Sequence, residues 1–353
     1  MTNRLIYLQY GFWKSIYDDK SVEGRKLFWD IYSALQLSNI CADIPEGIWE
    51  EENNPLYYLI QDSADGYGTQ IEMNNPNKIE SAINLKNKNQ LHYNLFAVYL
   101  LDEEEEKCVE YGNHLGVLCL NAKMIKERCS YVLGGAIDYK KGEEYDQYSK
   151  CDNLFSPCNS LILIDPYILK GKYNPRFDIK TNSILINLIP LLYKLLPQTL
   201  DIPFHLSIFS QAFGCVTETN NNANGEEVYD YLEQEIRKIR PQLTIKLSLC
   251  HVKTTGDGDG DFHSRHILTN CMAINSEDGF DLFKNKKDRR NNIKCVSGKY
   301  ARIEIIHPVL SNNKRLESDN YYQWIKISSH NTNNNLDYIG WGKFENRLFK
   351  LVQ

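Results

Sequence analysis

The chain lacks an excess of positive charge, which is the commonest bulk sign of a protein that binds nucleic acid or a membrane surface. Its 353 residues carry 40 Lys and Arg against 46 Asp and Glu, for a formal net charge of -6. The overall charge therefore gives no reason to expect a nucleic-acid ligand, although a local basic patch on an acidic protein can still bind phosphate. Only the local pattern of residues can indicate such a patch.

The sequence also lacks the cysteine patterns that indicate a disulfide framework or a zinc site. Its 10 cysteines are spread from Cys41 to Cys295 without a Cys-x-x-Cys pair, so reduced thiols are the simpler interpretation. Residues 1–10 have no signal-peptide pattern, and the most apolar stretch, 184–196, is interrupted by polar residues and a proline. We therefore expect a cytoplasmic protein that does not span a membrane, and we expect no metal ion or other cofactor.

The length of the chain predicts two domains, because 353 residues exceed one typical core. Apolar runs near residues 5–10, 95–101 and 115–120 predict strands, and the apolar spacing over 22–37 predicts a helix. Residues 1–150 are thus expected to form a separate α+β N-terminal domain of unknown role. A polar segment at 139–151 marks the boundary with the second domain, residues 151–353.

The second domain has a more regular pattern, in which apolar strands alternate with amphipathic helices. In order they are strand 160–164, helix 183–196, strand 204–209, helix 226–240 and strand 243–250. This alternation predicts βαβ units, and hence an α/β fold with a largely parallel sheet flanked by helices. Ligands of such sheets bind beyond the carboxyl ends of the strands, where Asp165 and the loop before His263 would lie.

One segment, Asp-Phe-His-Ser-Arg-His-Ile-Leu-Thr-Asn at 261–270, carries the strongest chemical signal. If residues 265–270 form a strand, alternation places His263 and Arg265 on the same side. A neutral imidazole can attack phosphorus, and a guanidinium two residues on can hold the non-bridging oxygens. The structural alternative is a His and an Arg at a strand edge that pair with a carboxylate.

Three stretches resemble the phospholipase-D-like superfamily, and specifically its divergent branch seen in the C-terminal domain of MIT-domain proteins and in uncharacterised bacterial proteins. They are residues 160–167, which end in Asp-Pro-Tyr, residues 262–270 and residues 279–283; the resemblance covers about residues 155–350. It implies a phospholipase-D-like mixed or parallel sheet flanked by helices. It also implies that His263 is the nucleophile, that Arg265 replaces the phosphate-binding Lys and that Asn270 replaces the orienting Asp.

The chain departs from this family pattern where the chemistry depends on it. Asn270 has no negative charge, and Asp-Gly-Phe-Asp at 278–281 replaces the expected Gly-Ser-x-Asn element. One His motif is present where active members use two. Single-motif members complete the site as symmetric homodimers, so the resemblance implies a homodimer. Within one chain the other candidates are His251 and His307, and each is explained as well by a structural or surface role.

A run of cations follows the motif. A basic run is usually a solvated surface, but beside a phosphate site it can follow a nucleic-acid backbone or, less favourably, meet an anionic lipid headgroup. We therefore take Arg265 and the run as candidate phosphate-binding residues. The members of the run are Lys284, Lys286, Lys287, Arg289 and Arg290.

The sequence leaves three functions open. The first is a metal-independent phosphodiesterase of the phospholipase-D-like nuclease type that acts on nucleic acid. The second is a catalytically inactive module that binds phosphate-rich ligands, either nucleic acid or phosphoinositide. The third is a scaffold subunit of a multi-protein assembly such as a bacterial antiviral defence system, with residues 1–150 as the surface for a protein partner. This last expectation comes only from the kind of bacterial proteins that the chain resembles.

Overall fold

The structure is a computed structural model, and its described residues form two β-sheets and a two-stranded ribbon. Helices cover the strands, and buried residues from both sheets join one hydrophobic core. The described residues are 5–35, 39–43, 48, 56, 57, 61, 70–73, 98–127, 135–151, 157–169, 184–210, 221–252, 265–290, 292–306, 338–342 and 345–352.

The first sheet has five strands in the order β3-β2-β1-β4-β5, and all neighbouring strands are parallel. The sequence predicts an α+β arrangement here, whereas parallel neighbours need crossover connections and are typical of α/β folds. The elements of this part are β1 (Leu5–Gln9), α1 (Tyr10–Asp18), α2 (Val22–Leu35), β2 (Asn39–Asp43), β3 (Gln70–Met73), β4 (Val98–Leu100), α3 (Glu105–Leu115), β5 (Leu118–Leu120) and α4 (Ala122–Glu127).

The strand predicted at 115–120 is shorter in the structure because α3 occupies its beginning. Helix α3 ends at Leu115, and the next residue, Gly116, has φ 62° and donates its N–H to the carbonyl of Gly112. A glycine in the left-handed region is a common helix stop. The chain turns there and enters β5 at Leu118.

The second sheet has eight strands in the order β15-β9-β8-β7-β10-β11-β14-β6. Strands β7, β8 and β9 are parallel, and the other neighbouring pairs are antiparallel. The predicted α/β class is confirmed, but the large sheet is mixed. Its elements are β6 (Gly135–Tyr139), β7 (Ser160–Ile164), a π-helical turn (Ile184–Leu188) that continues as α5 (Ile189–Leu195), β8 (Phe204–Ser210), α6 (Asn221–Ile239), β9 (Ile245–Val252), β10 (His266–Thr269), β11 (Ala273–Ser276), the ribbon strands β12 (Phe283–Lys287) and β13 (Ile293–Ser297), β14 (Ala301–Ile306) and β15 (Tyr338–Gly342).

The centre of this sheet follows from its apolar runs. Every residue of β7 and β8 is buried, as expected for central strands that are covered on both faces. The predicted bounds of β7 are confirmed. Strand β10 lies antiparallel to β7, with His266 opposite Ile164, so the start of β10 lies beside the carboxyl end of β7.

The ribbon is fixed to the sheet at one end and exposed at the other. Phe283 is buried, and its ring packs edge-on against three tyrosines, Tyr139, Tyr145 and Tyr148. Both backbone groups of Phe283 bond to the side chain of Asn187. These contacts anchor the start of β12, while its later lysines are exposed. Among the helices that the structure describes, none is both long and apolar enough to cross a membrane.

Candidate functional site

A buried carboxylate lies at the carboxyl end of β7. Asp165 is 0% exposed, and its two oxygens accept the backbone N–H groups of Tyr167 at 2.8 Å and Phe280 at 2.7 Å. Burial raises the pKa of Asp165, and the two N–H groups and the nearby Arg265 act in the opposite direction. The carboxylate therefore fastens the 277–281 turn to the end of the central strand.

The 277–281 turn requires glycine at its centre. Gly279 has φ 86°, and a Cβ built there would lie 2.9 Å from both Arg265 Cδ and Asp165 Oδ2. Ser276 Oγ donates to the carbonyl oxygen of Gly279 at 2.7 Å. A larger side chain would separate the turn from Arg265 and Asp165, so Gly279 makes their close approach possible.

Arg265 directly precedes β10, and contacts within the protein occupy only some of the hydrogen-bond donors of its guanidinium. Its guanidinium donates to the carbonyl oxygen of Glu277 and lies 5.9 Å from the centroid of the Tyr167 ring. Its Nε is buried and has no hydrogen-bond partner among the residues that the structure describes. Because Nε is enclosed beneath the turn, only the terminal N–H groups of the guanidinium remain as donors for an oxyanion.

A second cation holds the same turn from the other side. Lys299 Nζ donates to the carbonyl oxygen of Asp278 and to the carboxylate of Asp281, the latter at 2.7 Å. The backbone N–H of Gly298 donates to the carbonyl of Leu282 at 2.7 Å. The turn that contacts Arg265 is therefore also the turn that leads into the ribbon.

The ribbon presents three lysines on one face. In the register of the two strands Lys286 lies directly opposite Lys294, and Lys284 is two residues from Lys286 on the same face. Like charges directly opposite each other destabilise a strand pair. The carboxylate of Glu144 compensates for part of this repulsion, since its Oε2 lies 2.7 Å from Lys294 Nζ. This hydrogen bond raises the pKa of Lys294.

The other cations of the predicted basic run lie elsewhere on the ribbon. Lys287 alternates with Lys286 and therefore points to the opposite face, beside Ile293. Arg289 and Arg290 are exposed at the tip, where Asp288 closes the turn by accepting the N–H of Arg290 at 2.8 Å. The structure thus groups Lys284 and Lys286 and separates the other three from them.

Asn270 lies at the other end of β10 from Arg265. Its side chain accepts the N–H of Asn159 at 2.9 Å and donates to the carbonyl of Gly116 at 3.0 Å. Arg265 and Asn270 flank the four-residue strand β10, and a separation of five residues along a strand is about 16 Å. The structure therefore does not bring these two predicted site residues together; Asn270 instead links the second sheet to the end of α3.

Of the four histidines near the motif or proposed as its partner, the structure describes only His251 and His266. His263 and His307 lie outside the described residues, so the role of His263 as nucleophile stays a prediction. His251 is half-buried in β9. His266 bonds through Nδ1 to Asn275 Oδ1 at 2.6 Å, and burial lowers its pKa, as expected for a neutral structural imidazole.

Three residues of this site lie outside the set of phosphate-binding residues predicted from the sequence: Lys294, Lys299 and Glu144. Their roles depend on strand pairing and on contacts away from the basic run, because Lys294 faces Lys286 across the ribbon, Glu144 reaches Lys294 from the other side of β13, and Lys299 bonds to Asp281. A sequence read alone reports neighbours along the chain, so it shows the cations but not the face that they share. The pairing register supplies that information.

The chain matches no protein-family model, and no curated protein is significantly similar to it. The resemblance of residues 155–350 to the phospholipase-D-like superfamily therefore stays a prediction, and function has to be argued from the chemistry of the site.

Proposed function

We propose that the protein binds phosphate-rich polyanions, with nucleic acid as the preferred class, through the ribbon and the adjoining Arg265 corner. One observation carries the proposal: Lys286 and Lys294 lie directly opposite each other, with Lys284 on the same face. This arrangement costs the ribbon stability. A polyanion relieves the repulsion and gains affinity through the release of its condensed counterions.

The Arg265 corner supports the same function. Arg265 lies where the end of β7 meets the start of β10, and Asp165, Gly279 and the Glu277 carbonyl fix its position. A guanidinium held in this way suits the non-bridging oxygens of a phosphodiester. The shared 277–281 turn connects this group to the lysines of the ribbon.

Cleavage is the second candidate function, and the position of Arg265 beside the carboxyl end of a central strand favours it. In this proposal His263 attacks phosphorus, Arg265 stabilises the charge of the phosphorane, and a protonated second His263 from a homodimer gives its proton to the leaving oxygen, which leaves a phosphohistidine. The second His263, now neutral, takes a proton from a water molecule that attacks the phosphohistidine, breaks its P–N bond and releases the product phosphate ester. Asn270 has a structural role in this proposal, because its amide accepts the N–H of Asn159 and donates to the carbonyl of Gly116.

Binding is tested by titrating a fluorescent oligonucleotide at several salt concentrations. Lys286→Gln should weaken binding to all sequences and lower the slope of log K against log salt by about 1, because one phosphate contact is lost. Lys123→Gln is the matched control, since Lys123 is an exposed lysine on α4. Equal affinity and equal slope for wild type and Lys286→Gln would contradict the proposal.

Cleavage is tested with bis(p-nitrophenyl) phosphate and labelled DNA and RNA in the presence of EDTA. The wild type is expected to turn over at least one of them, and His263→Ala is expected to abolish turnover. If the folded wild type cleaves none of the three but still binds nucleic acid, the function is limited to binding.

A further inference from the structure

An exposed aromatic ring lies beyond one end of the cationic face of the ribbon. Tyr300 is 68% exposed and directly follows Lys299 in the turn between β13 and β14. Tyr139 and Tyr148, which lie against the buried end of the ribbon, are 1% and 0% exposed. Tyr300 is therefore not part of the aromatic cluster that anchors the ribbon, and most of its ring surface is in contact with water.

The turn that carries Tyr300 is joined to the lysine face. A Cβ built on Gly298 would lie 3.7 Å from Cδ and 3.9 Å from Cε of Lys284, so the methylene groups of Lys284 run close to the residue two positions before Tyr300. Ser297 Oγ donates to the carbonyl of Lys299 at 2.5 Å. Together with the bond from Gly298 to the Leu282 carbonyl, this contact holds the turn in place.

The spacing of the cations suits a chain of phosphates rather than one isolated phosphate. Lys284 and Lys286 alternate along one strand, so their Cα atoms are about 6.7 Å apart. A single-stranded nucleic acid offers successive phosphates together with bases whose faces are free to stack on an aromatic ring. In a duplex both faces of an internal base are already stacked, so the ring of Tyr300 has no comparable partner there.

The distribution of exposed apolar side chains argues against a membrane as the ligand. In residues 265–290 and 292–306 the large exposed hydrophobic side chains are Ile293 and Tyr300. Ile293 lies opposite Lys287 near the tip, and Tyr300 lies beyond the other end of β13; the strand between them is about 13 Å long. Insertion into a bilayer needs one contiguous apolar face, whereas these two side chains are separated by the ribbon.

We infer that the ligand of the ribbon is a single-stranded nucleic acid, whose phosphates contact Lys284, Lys286 and Lys294 and one of whose bases stacks on Tyr300. This inference rests on the proposed binding function and specifies which class of nucleic acid is bound. The lysines supply salt-dependent affinity that is common to all nucleic acids. Tyr300 supplies the preference for unpaired bases, because stacking needs an accessible π-face.

The test compares Tyr300→Ala, Tyr300→Phe and the wild type for binding to a labelled single-stranded 12-mer, to a duplex of the same length and to vesicles that contain a phosphoinositide. Tyr300→Ala should bind the single strand about tenfold more weakly, with an unchanged salt slope and unchanged duplex affinity. Tyr300→Phe should retain affinity because it keeps the ring. Tyr57→Ala, at another tyrosine that is 49% exposed, should bind like the wild type.

The outcomes separate this inference from the function on which it rests. If Tyr300→Ala binds the single strand as tightly as the wild type while Lys286→Gln binds it more weakly, the ribbon binds phosphate but the stacking role is wrong. If the wild type binds no nucleic acid, the proposed function fails as well. Vesicle binding without nucleic-acid binding would overturn the inference in favour of a lipid headgroup. Thermal melting of each variant verifies that it is folded.

Discussion

The two sheets differ in where a carboxylate lies at the carboxyl ends of their strands, and this difference indicates where an anion can bind. In the five-stranded sheet, α1 begins directly after β1, and the carboxylate of Asp102 lies against its first turn; a Cβ on Gly11 would be 2.0 Å from Asp102 Oδ2. In the eight-stranded sheet Asp165 is buried beneath the 277–281 turn, and Arg265 and Lys299 contact that turn.

At the start of α1, one of the chain's own carboxylates occupies the place where a phosphate would bind. The N-terminus of a helix after a parallel strand is a common position for a bound phosphate, but here a carboxylate already lies there and would repel it. At the second edge Asp165 is enclosed and Lys299 pairs with Asp281, and the excess of cations lies on the ribbon beyond it. The acidic net charge of the chain and a cationic ribbon are thus compatible, because they belong to different parts of the molecule.

The largest effect is expected from Asp165→Ala. This change leaves the backbone N–H groups of Tyr167 and Phe280 buried without their acceptor, and we expect it to lower the free energy of unfolding by about 3 kcal/mol. Asp43→Ala is the counterpart in the other sheet, where the carboxylate accepts the Tyr7 hydroxyl at 3.1 Å, and should cost about 1 kcal/mol. Urea denaturation measures the free energy of unfolding of both variants, and equal losses of stability would contradict the expected difference between the two edges.

A smaller loss is expected from Asn270→Ala, because it removes two hydrogen bonds, one to Asn159 beside β7 and one to Gly116 at the end of α3. We expect about 2 kcal/mol from the unpaired backbone groups of Asn159 and Gly116. Asn270→Asp sharpens the test, since it introduces the acid of the phospholipase-D-like pattern but sets a carboxylate against the Gly116 carbonyl. It should lower stability without raising phosphodiesterase activity; a gain in activity would assign Asn270 to the chemistry after all.

A modest gain of affinity is expected from Glu144→Gln. Glu144 neutralises Lys294 at 2.7 Å, so its removal leaves the lysine face fully charged and should tighten nucleic-acid binding about threefold at low salt. The slope of log K against log salt should steepen by up to about 1. Glu143→Gln is the control, because the Glu143 carboxylate accepts the Tyr145 hydroxyl rather than a ribbon lysine.

The smallest expected effect is a difference in pH response between two carboxyls. The hydrogen bond from Lys126 lowers the pKa of Asp19 to about 2, so its stabilising contribution is present above pH 3.8 and is lost as the pH falls towards 2. Burial raises the pKa of Asp165, so the folded state holds its proton to a higher pH than the unfolded state, and the contribution of this group to stability falls as the pH rises above 3.8. Carboxyl chemical shifts recorded by NMR against pH should resolve the two; titration in the same direction from 3.8 would contradict this prediction.

The strands that the sequence predicts well are those whose burial is continuous. Strand β7 has its predicted bounds, and β8 differs by one residue, because a fully apolar run reports burial on both faces. The long helix α6 was expected from 226 but begins at Asn221. The antiparallel position of β10 beside β7 was not predictable, since it depends on pairing between segments about 100 residues apart.

The candidate site was predictable in its residue types but not in its geometry. Arg265 and the basic run are visible in the sequence, yet β12 reads as polar and has no apolar alternation beyond Phe283. Its register with β13, which sets Lys286 against Lys294, goes with the 288–292 turn, in which the N–H of Asp288 donates to the carbonyl of Asn292 and its carboxylate accepts the N–H groups of Arg290 and Asn292. Charge composition therefore predicted a patch, and the strand pairing decided which cations belong to it.

The 277–281 turn also has a mechanical consequence. It is the joint between the central sheet and the ribbon, and Asp165, Arg265 and Lys299 all hold it. The start of β12 is therefore connected, through this one turn, to the Phe280 N–H and to the Arg265 guanidinium at the end of β7.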